Sequence, residues 1–270
     1  MPDRYAVIGN PVAHSKSPEI HALFALETRQ NLEYGRLLAP LDGFVDAVRK
    51  FIDEGGKGLN VTVPFKFEAF SLANKLTSRA KMAGAVNTLH FKDGIIYGDN
   101  TDGAGLVADL TLNAGFSLSN SRILLLGAGG AAYGVMLPLL QQKPDIVHIA
   151  NLSVEKADEM AKQFSGFGKT RVSSYDELNE PYDIVINATS AGLSNAMPPV
   201  SSPVFEKHTL ALDPSLPGAP APQVCAVRAH LSSGLPLHGR GARPPDGRAR
   251  LHAAVRGQRF VRFVPQLRCK

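Results

Sequence analysis

The chain of 270 residues carries 44% hydrophobic and 20% charged side chains, an ordinary balance for a globular protein of one large or two modest domains. No apolar run approaches the roughly 18 residues a spanning helix needs. The first residues enter a strand at once without a signal-peptide layout, so the cytoplasm is the expected location and no membrane partner is expected. The net charge of +5 is unevenly spread: residues 214–270 hold nine Arg and one Lys against one acid, whereas residues 1–213 carry 19 bases and 23 acids. The body of the chain therefore lacks a nucleic-acid signature. Cys225 and Cys269 lie in the basic stretch without C-x-x-C spacing, and the eight His show no H-x-x-x-H or H-E-x-x-H pattern, so no metal is expected.

In chain order, Tyr5–Ile8 reads as a strand stopped by Gly9-Asn10-Pro11. Ser17-Pro18-Glu19 opens a helix, with Ser17 as N-cap and Pro18 at the first helical position. Tyr34–Leu38 follows as a strand, and apolar spacing predicts a helix over Leu41–Ile52. Leu59–Val63 is a β-branched strand, 66–76 and 78–84 read as helices, and Asn87–Phe91 with Ile95–Gly98 forms a hairpin. Strands alternating with helices imply a mostly parallel sheet. A second α/β unit follows: helix 103–114, strand Ile123–Leu126, a glycine-rich turn, a helix to about Gln141, and strand Ile146–Ala150. Helix 154–165, a short strand near 171–173 and strand Ile184–Asn187 complete a βαβαβ progression, the half-unit of a doubly wound dinucleotide-binding fold.

Gly127-Ala128-Gly129-Gly130-Ala131-Ala132 follows an apolar strand and opens a helix, the context that makes a glycine motif a pyrophosphate cradle. NAD enzymes place an acid at the tip of the second strand, to hold the ribose 2′-hydroxyl. Here the tip reads Asn151-Leu152-Ser153-Val154-Glu155-Lys156, with no acid to repel a 2′-phosphate, and Asn151, Ser153 and Lys156 are candidates to bind one; NADP is favoured. Ser15 and Ser17 sit where hydroxyls and amides could bind a carboxylate, although Ser17 could serve only as a cap. Asn60, Thr62 and Pro64 share one strand face, with Lys66 just beyond it pointing toward the ligand crevice of such a sheet. The turns at 84–88 and 98–103 add Asn87 and Asp102. Asp99-Asn100-Thr101-Asp102-Gly103 lacks the alternating ligands and terminal Glu of a calcium loop. Lys66 with Asp102 is instead a candidate acid/base pair, since reducing a ketone needs a proton as hydride reaches carbon.

These motifs together resemble the shikimate dehydrogenase family. The match runs through Gly9-Asn10-Pro11, Ser15-Lys16-Ser17-Pro18, Asn60 to Lys66, Gly84 to Thr88, Gly98 to Gly103, Gly127 to Ala132 and Asn187-Ala188-Thr189-Ser190-x-Gly192. The resemblance implies two α/β domains, a substrate domain over 1–102 and a Rossmann-like NADP domain over 103–237, with the active site in the cleft between them. It implies reversible NADPH-dependent reduction of 3-dehydroshikimate to shikimate, on the route to chorismate and the aromatic amino acids. Ser15 and Ser17 would bind the shikimate carboxylate, and Thr62, Lys66, Asn87 and Asp102 its ring hydroxyls. Lys66 and Asp102 would be catalytic. Gly127, Ala128, Gly129, Gly130, Ala131 and Ala132 would cradle the pyrophosphate, Asn151, Ser153 and Lys156 the adenosine end. Thr189, Ser190 and Gly192 would lie near the nicotinamide. A broader quinate/shikimate activity and a binding chain with impaired turnover are the alternatives, and a homodimer is an open expectation.

Two features depart from the family pattern. The family's phosphate-gripping Arg after the second nucleotide strand is Leu152 here, a loss of about 1.5–3 kcal/mol of affinity that Lys156 could partly offset. After Asp213 the family's Tyr-containing strand and its glutamine-bearing helix, which in the family packs back on the first domain from about residue 238, are not legible. The Arg:Lys ratio changes from 7:12 to 9:1, and eight Pro fall in 57 residues. A flexible basic tail would account for this; the preferred reading is a segment translated out of register with its ancestral gene.

Overall fold

The computed structural model describes residues 1–189, 199–200, 203–205 and 208–212 in full and residues 202 and 226–228 as backbone. Two six-stranded sheets organise them. The first contains β1 (Asp3–Gly9), β2 (Leu32–Leu38), β3 (Gly56–Val61), β4 (Lys75–Leu76), β5 (Thr88–Lys92) and β6 (Ile95–Asp99), in the order β2-β1-β3-β5-β6-β4. Helices α1 (Ser17–Thr28), α2 (Phe44–Asp53), α3 (Lys66–Leu72) and α4 (Ser78–Ala83) belong to the same part of the chain. Strand alternation puts Ala6, Ile8, Leu59 and Val61 on one face, where they pack with Phe44, Val48 and Phe51 of α2.

This sheet is mostly parallel, as its helix–strand alternation suggested, with the expected antiparallel hairpin set into it. β1 runs parallel to β2 and β3, whereas β5 is antiparallel to both β3 and β6. The cause is local: Asp93 and Gly94 both adopt positive φ, 51° and 72°, as a two-residue hairpin turn requires. The helix expected over 66–76 ends at Leu72. Beyond it, the Asn74 N–H donates to the Ile96 carbonyl and its side-chain oxygen accepts the Ile96 N–H, both at 2.8 Å, which draws Lys75-Leu76 onto the sheet edge as β4. Ser17 is the first residue of α1, and Lys16 occupies the cap position.

The second sheet contains β7 (Arg122–Leu126), β8 (Ile146–Ala150), β9 (Thr170–Ser173), β10 (Ile184–Asn187), β11 (Leu210–Leu212) and β12 (Ala226–Arg228). Its order, β9-β8-β7-β10-β11-β12, is parallel except for β12. Numbered within this half of the chain it reads 3-2-1-4-5-6, the doubly wound order whose ligand crevice opens where the winding reverses, between β7 and β10. Helices α5 (Asp102–Ala108), α6 (Gly130–Gln141) and α7 (Val154–Gln163) complete the unit, and a π-helical stretch, Asp109–Asn113, extends α5. Beyond Arg122, β7 is apolar because both its faces are covered: Ile123 and Leu125 enter one core cluster, Leu124 and Leu126 another. The short strands β11 and β12 were not anticipated, and β12 falls within the basic stretch. Residues 229–270, and with them the segment expected to return to the first domain, lie outside the described residues.

Two glycines let α5 and α6 touch. A Cβ on Gly103 would stand 2.5 Å from the Gly134 carbonyl oxygen and from Pro138 Cγ, and one on Gly134 would stand 2.9 Å from the Asn100 amide. Any side chain at either position forces α5 away from the glycine turn.

His148, inside β8, is 1% exposed, and its ring nitrogens are taken by the Tyr182 and Ser173 hydroxyls. Burial, assisted by Arg171, lowers its pKa to about 4. The unfolded chain, with an ordinary imidazole, therefore binds the extra proton first as pH falls, and stability declines from about pH 6.5 toward 4. At pH 5 this group alone is expected to cost about 2 kcal/mol relative to pH 7.5. His21, lowered to about 4 by burial, acts in the same direction. Guanidinium melts of His148→Gln should show a fall between these pH values smaller by about 2 kcal/mol than that of the parent. An unchanged fall would refute the assignment.

Candidate active site

The site grows out of three turns of the first sheet held to one another by backbone. The Val86 N–H donates to the Lys66 carbonyl at 2.9 Å, Val61 N–H to the Asn87 carbonyl at 2.7 Å, and Asn87 N–H to the Asp99 carbonyl at 3.0 Å. Phe65, fully buried and stacked on Phe44 at 4.9 Å, anchors the turn that delivers Lys66 to the start of α3. The Asn100 side chain donates to the Ala85 carbonyl at 3.0 Å and accepts the Asp102 N–H at 3.1 Å, which fixes the entry into α5.

Lys66 Nζ lies 2.6 Å from Asp102 Oδ2, with side chains only 15% and 24% exposed. The other carboxylate oxygen accepts a hydrogen bond from Asn87 Nδ2, also at 2.6 Å. Both oxygens of Asp102 thus face donors. The structure brings Lys66 and Asp102 together as an ion pair. Thr62 follows β3 with its methyl group over Gly9, and its hydroxyl makes no hydrogen bond among the described residues.

Ser15 and Ser17 come together at the start of α1, with Ser15 Oγ donating to Ser17 Oγ at 3.1 Å and accepting the Ser17 N–H at 3.3 Å. Ser17 does not cap the helix, and its hydroxyl accepts from Ser15 instead. Arg36 supports this loop by donating twice to the Ser15 carbonyl, at 2.6 and 2.9 Å.

Three neighbours escaped the sequence reading. The Tyr34 hydroxyl donates to Asn60 Oδ1 at 2.6 Å, His21 Nε2 lies 3.2 Å from the same oxygen, and Thr88 joins Asn60 to Asn87. The His21 ring stacks on Tyr34, with centroids 4.0 Å apart. Its burial-depressed pKa leaves it neutral near pH 7, so Nε2–H is the donor to Asn60. Burial raises the Tyr34 pKa and keeps that hydroxyl protonated. A usable signal existed for His21: it lies four residues after Ser17, on the same face of α1. Tyr34 offered none.

The glycine turn completes the cleft from the second sheet. Gly127 has φ 103°, a left-handed conformation, and a Cβ there would press to 3.1 Å from the Ala188 carbonyl. Gly129 faces open space, while a Cβ on Gly130 would reach within 3.0 Å of Lys66 Cβ. The turn therefore abuts the Lys66–Asp102 pair directly. α6 has no acidic residue in its first turn and no side-chain cap, so its first N–H groups can receive an anion. The open approach at Gly129 and these donors fit a dinucleotide pyrophosphate.

At the tip of β8, the Asn151 amide donates to the Ser153 carbonyl at 2.9 Å and the Ser153 hydroxyl to Glu155 at 2.8 Å, so both groups have internal partners. Leu152 is 83% exposed, and Lys156 is exposed without an ion pair among the described residues. Thr189 hydrogen-bonds Asn187 Oδ1 through its N–H and hydroxyl, at 3.0 and 2.7 Å, beside Gly127. Ser190 and Gly192 lie outside the described residues. Among the described residues no cluster of His, Cys, Asp or Glu could hold a metal ion, and no helix is long and apolar enough to cross a membrane.

Comparison with known proteins agrees with this geometry. Residues 7–89 match the family model "Shikimate dehydrogenase substrate binding domain", and residues 109–199 match "Shikimate / quinate 5-dehydrogenase". A shikimate dehydrogenase (NADP(+)) of Janthinobacterium sp. (strain Marseille) is 56% identical over 220 residues, 82% of this chain and 81% of the relative. One from Herminiimonas arsenicoxydans is 55% identical over 213 residues, 79% of this chain and 78% of the relative. Shikimate 5-dehydrogenase from Thermus thermophilus, solved in complex with NADP(H) and shikimate, superimposes with a TM-score of 0.68 at 29% identity, covering 77% of each chain. With both halves of the chain matched and more than half of the aligned residues shared with these relatives, the chain belongs to the shikimate dehydrogenase family.

Proposed function

We propose that this chain is an NADP-dependent shikimate dehydrogenase, an oxidoreductase that interconverts 3-dehydroshikimate and shikimate with Lys66 and Asp102 as its catalytic residues. The observation that carries this reading is the 2.6 Å ion pair seated against the glycine turn. Bound NADPH supplies the hydride. Lys66 donates a proton from Nζ to the ketone oxygen as the carbon is reduced, so that C=O becomes CH–OH and the lysine is left neutral. Asp102 holds the ammonium in place and accepts from a ring hydroxyl, and the lysine regains its proton from solvent after each reduction. Asn87 and Thr62 bind ring hydroxyls, and Ser15 with Ser17 binds the carboxylate.

Gly127 to Ala132 would hold the pyrophosphate and Thr189, with Ser190 and Gly192, would border the nicotinamide. Asn151, Ser153 and Lys156 would serve the adenosine end, with Lys156 as the charge nearest a 2′-phosphate where the family's Arg is replaced by Leu152. We place the division between substrate and nucleotide domains at Asp102/Gly103, at the first turn of α5. The homodimer expectation is checked by sedimentation velocity. We further propose that the stretch beginning near residue 214 is out of register with the ancestral gene, which accords with relatives of similar length matching only about four fifths of the chain. Resequencing from codon 205 onward tests this: an insertion or deletion near codon 213 supports it, and an intact frame ends it.

Lys66→Ala is expected to lower kcat with 3-dehydroshikimate by about 10²–10⁴-fold while NADPH still binds, as measured by quenching or enhancement of nicotinamide fluorescence. Retained turnover removes Lys66 from its role. Lys156→Glu should raise the KM for NADPH roughly tenfold and leave that for NADH nearly unchanged. Equal effects on both cofactors would exclude a contact with the 2′-phosphate.

A further inference from the structure

A directional array of hydrogen bonds runs from Tyr34, packed against α1 just past its serines, to the catalytic pair. Ser15 donates to Ser17 at 3.1 Å, and His21, one turn further along the same helix, stacks on the Tyr34 ring with centroids 4.0 Å apart. Tyr34 donates to Asn60 Oδ1 at 2.6 Å, and Asn60 Nδ2 donates to Thr88 Oγ1 at 3.3 Å. Thr88 donates to Asn87 Oδ1 at 2.9 Å, and Asn87 Nδ2 donates to Asp102 Oδ1 at 2.6 Å. Asp102 meets Lys66 through its other oxygen.

The direction follows from what each group can donate. A hydroxyl has one hydrogen and an amide has its donors on one side only. Tyr34, together with His21, occupies the Asn60 oxygen, so the Asn60 nitrogen must face Thr88. Thr88 then receives one hydrogen bond, and its own hydrogen goes to the Asn87 oxygen. The same oxygen accepts the Thr101 N–H at 3.0 Å, which leaves the Asn87 nitrogen for the carboxylate. Asn87 and Thr88 are 8% and 5% exposed, so water cannot readily replace a lost partner.

We propose that Tyr34 and Thr88 are positioning residues that tie α1, just past its serines, and the Lys66–Asp102 pair into one rigid unit. The spacing between the two ends of the array is then fixed before a ring acid binds. Neither residue need touch the reacting atoms: Thr88 acts through Asn87, and Tyr34 acts through Asn60. The inference rests on the catalytic assignment of Lys66 and Asp102 made above, but the array itself exists without turnover and can be read without it.

Two measurements test it. In the parent protein, the Asn87 side-chain amide, followed by nitrogen-15 NMR, should exchange slowly with solvent; in Thr88→Val the exchange should accelerate about tenfold, and Thr88→Ser should restore it. In steady state, Thr88→Val and Tyr34→Phe should each lower kcat about tenfold with the KM for NADPH unchanged, Thr88→Ser should recover the parental rate, and the double variant should lose little more than either single one, because both cut the same array. Should Thr88→Val fail to fold, Tyr34→Phe carries the same amide and kcat readouts. Amide exchange that is unchanged by both Thr88→Val and Tyr34→Phe overturns the inference whatever the activity, as does a Thr88→Ser variant as impaired as Thr88→Val. A parent protein that does not turn over 3-dehydroshikimate yet shows the amide response counts against the proposed function alone.

Discussion

Lys66 and Asp102 are the first residues of two short helices, and both are largely withdrawn from water. Removing a lysine and a carboxylate from solvent is costly, and a pair of apolar residues would hold the same space as well or better. The desolvation is tolerable only because the rest of the structure satisfies both charges: Asn87 occupies the second carboxylate oxygen, and Asn100 and Thr101 hold the turns that deliver the pair. An ion pair kept under such terms is better understood as chemistry than as stability. Its position explains the packing around it. α5 must come against α6 for Asp102 to reach the glycine turn, and Gly103 and Gly134 are the residues that permit the approach.

The same requirement joins the two sheets. The second sheet reverses its winding between β7 and β10, which places Gly127 and Thr189 side by side above the strand ends. The first sheet sends Lys66 to the same point from the end of β3. An aromatic contact between Phe67 and Tyr133, at 5.6 Å, and a hydrogen bond from Gln163 to the Met82 carbonyl, at 2.8 Å, span the gap between the two halves of the chain. The cleft is therefore defined by contacts on both flanks and by the ion pair between them. On the proposed function, hydride and proton must arrive at one carbonyl together, and the glycine turn and Lys66 border the same cleft.

The nucleotide end is less committed than the catalytic end. Ser153 donates to Glu155 rather than standing free, and the exposed Leu152 contributes no charge at the tip of β8. On the proposed function, selectivity for a 2′-phosphate would fall mainly on Lys156, a flexible point charge in place of a planar fork. The relatives that share more than half of the aligned residues are NADP enzymes, so the family's preference is met here with a thinner set of contacts.

Much of this was legible in the residues alone, and the reason is that the informative features are local. The glycine motif, the strand before it and the helix after it lie within about twenty residues, so their roles follow from spacing and turn chemistry. Lys66 and Asp102 stood out as charged residues just past strand ends, where an α/β sheet presents its ligand groups. Tertiary structure alone decided the antiparallel pairing of β3 with β5, the capture of Lys75-Leu76 as an edge strand, and the array through Tyr34, Asn60 and Thr88. Asn60 meets Thr88 only through the antiparallel register of β3 with β5, and Tyr34 reaches Asn60 across the intervening strand β1. Such contacts depend on which strands become neighbours, a property of the folded sheet that no window of sequence contains.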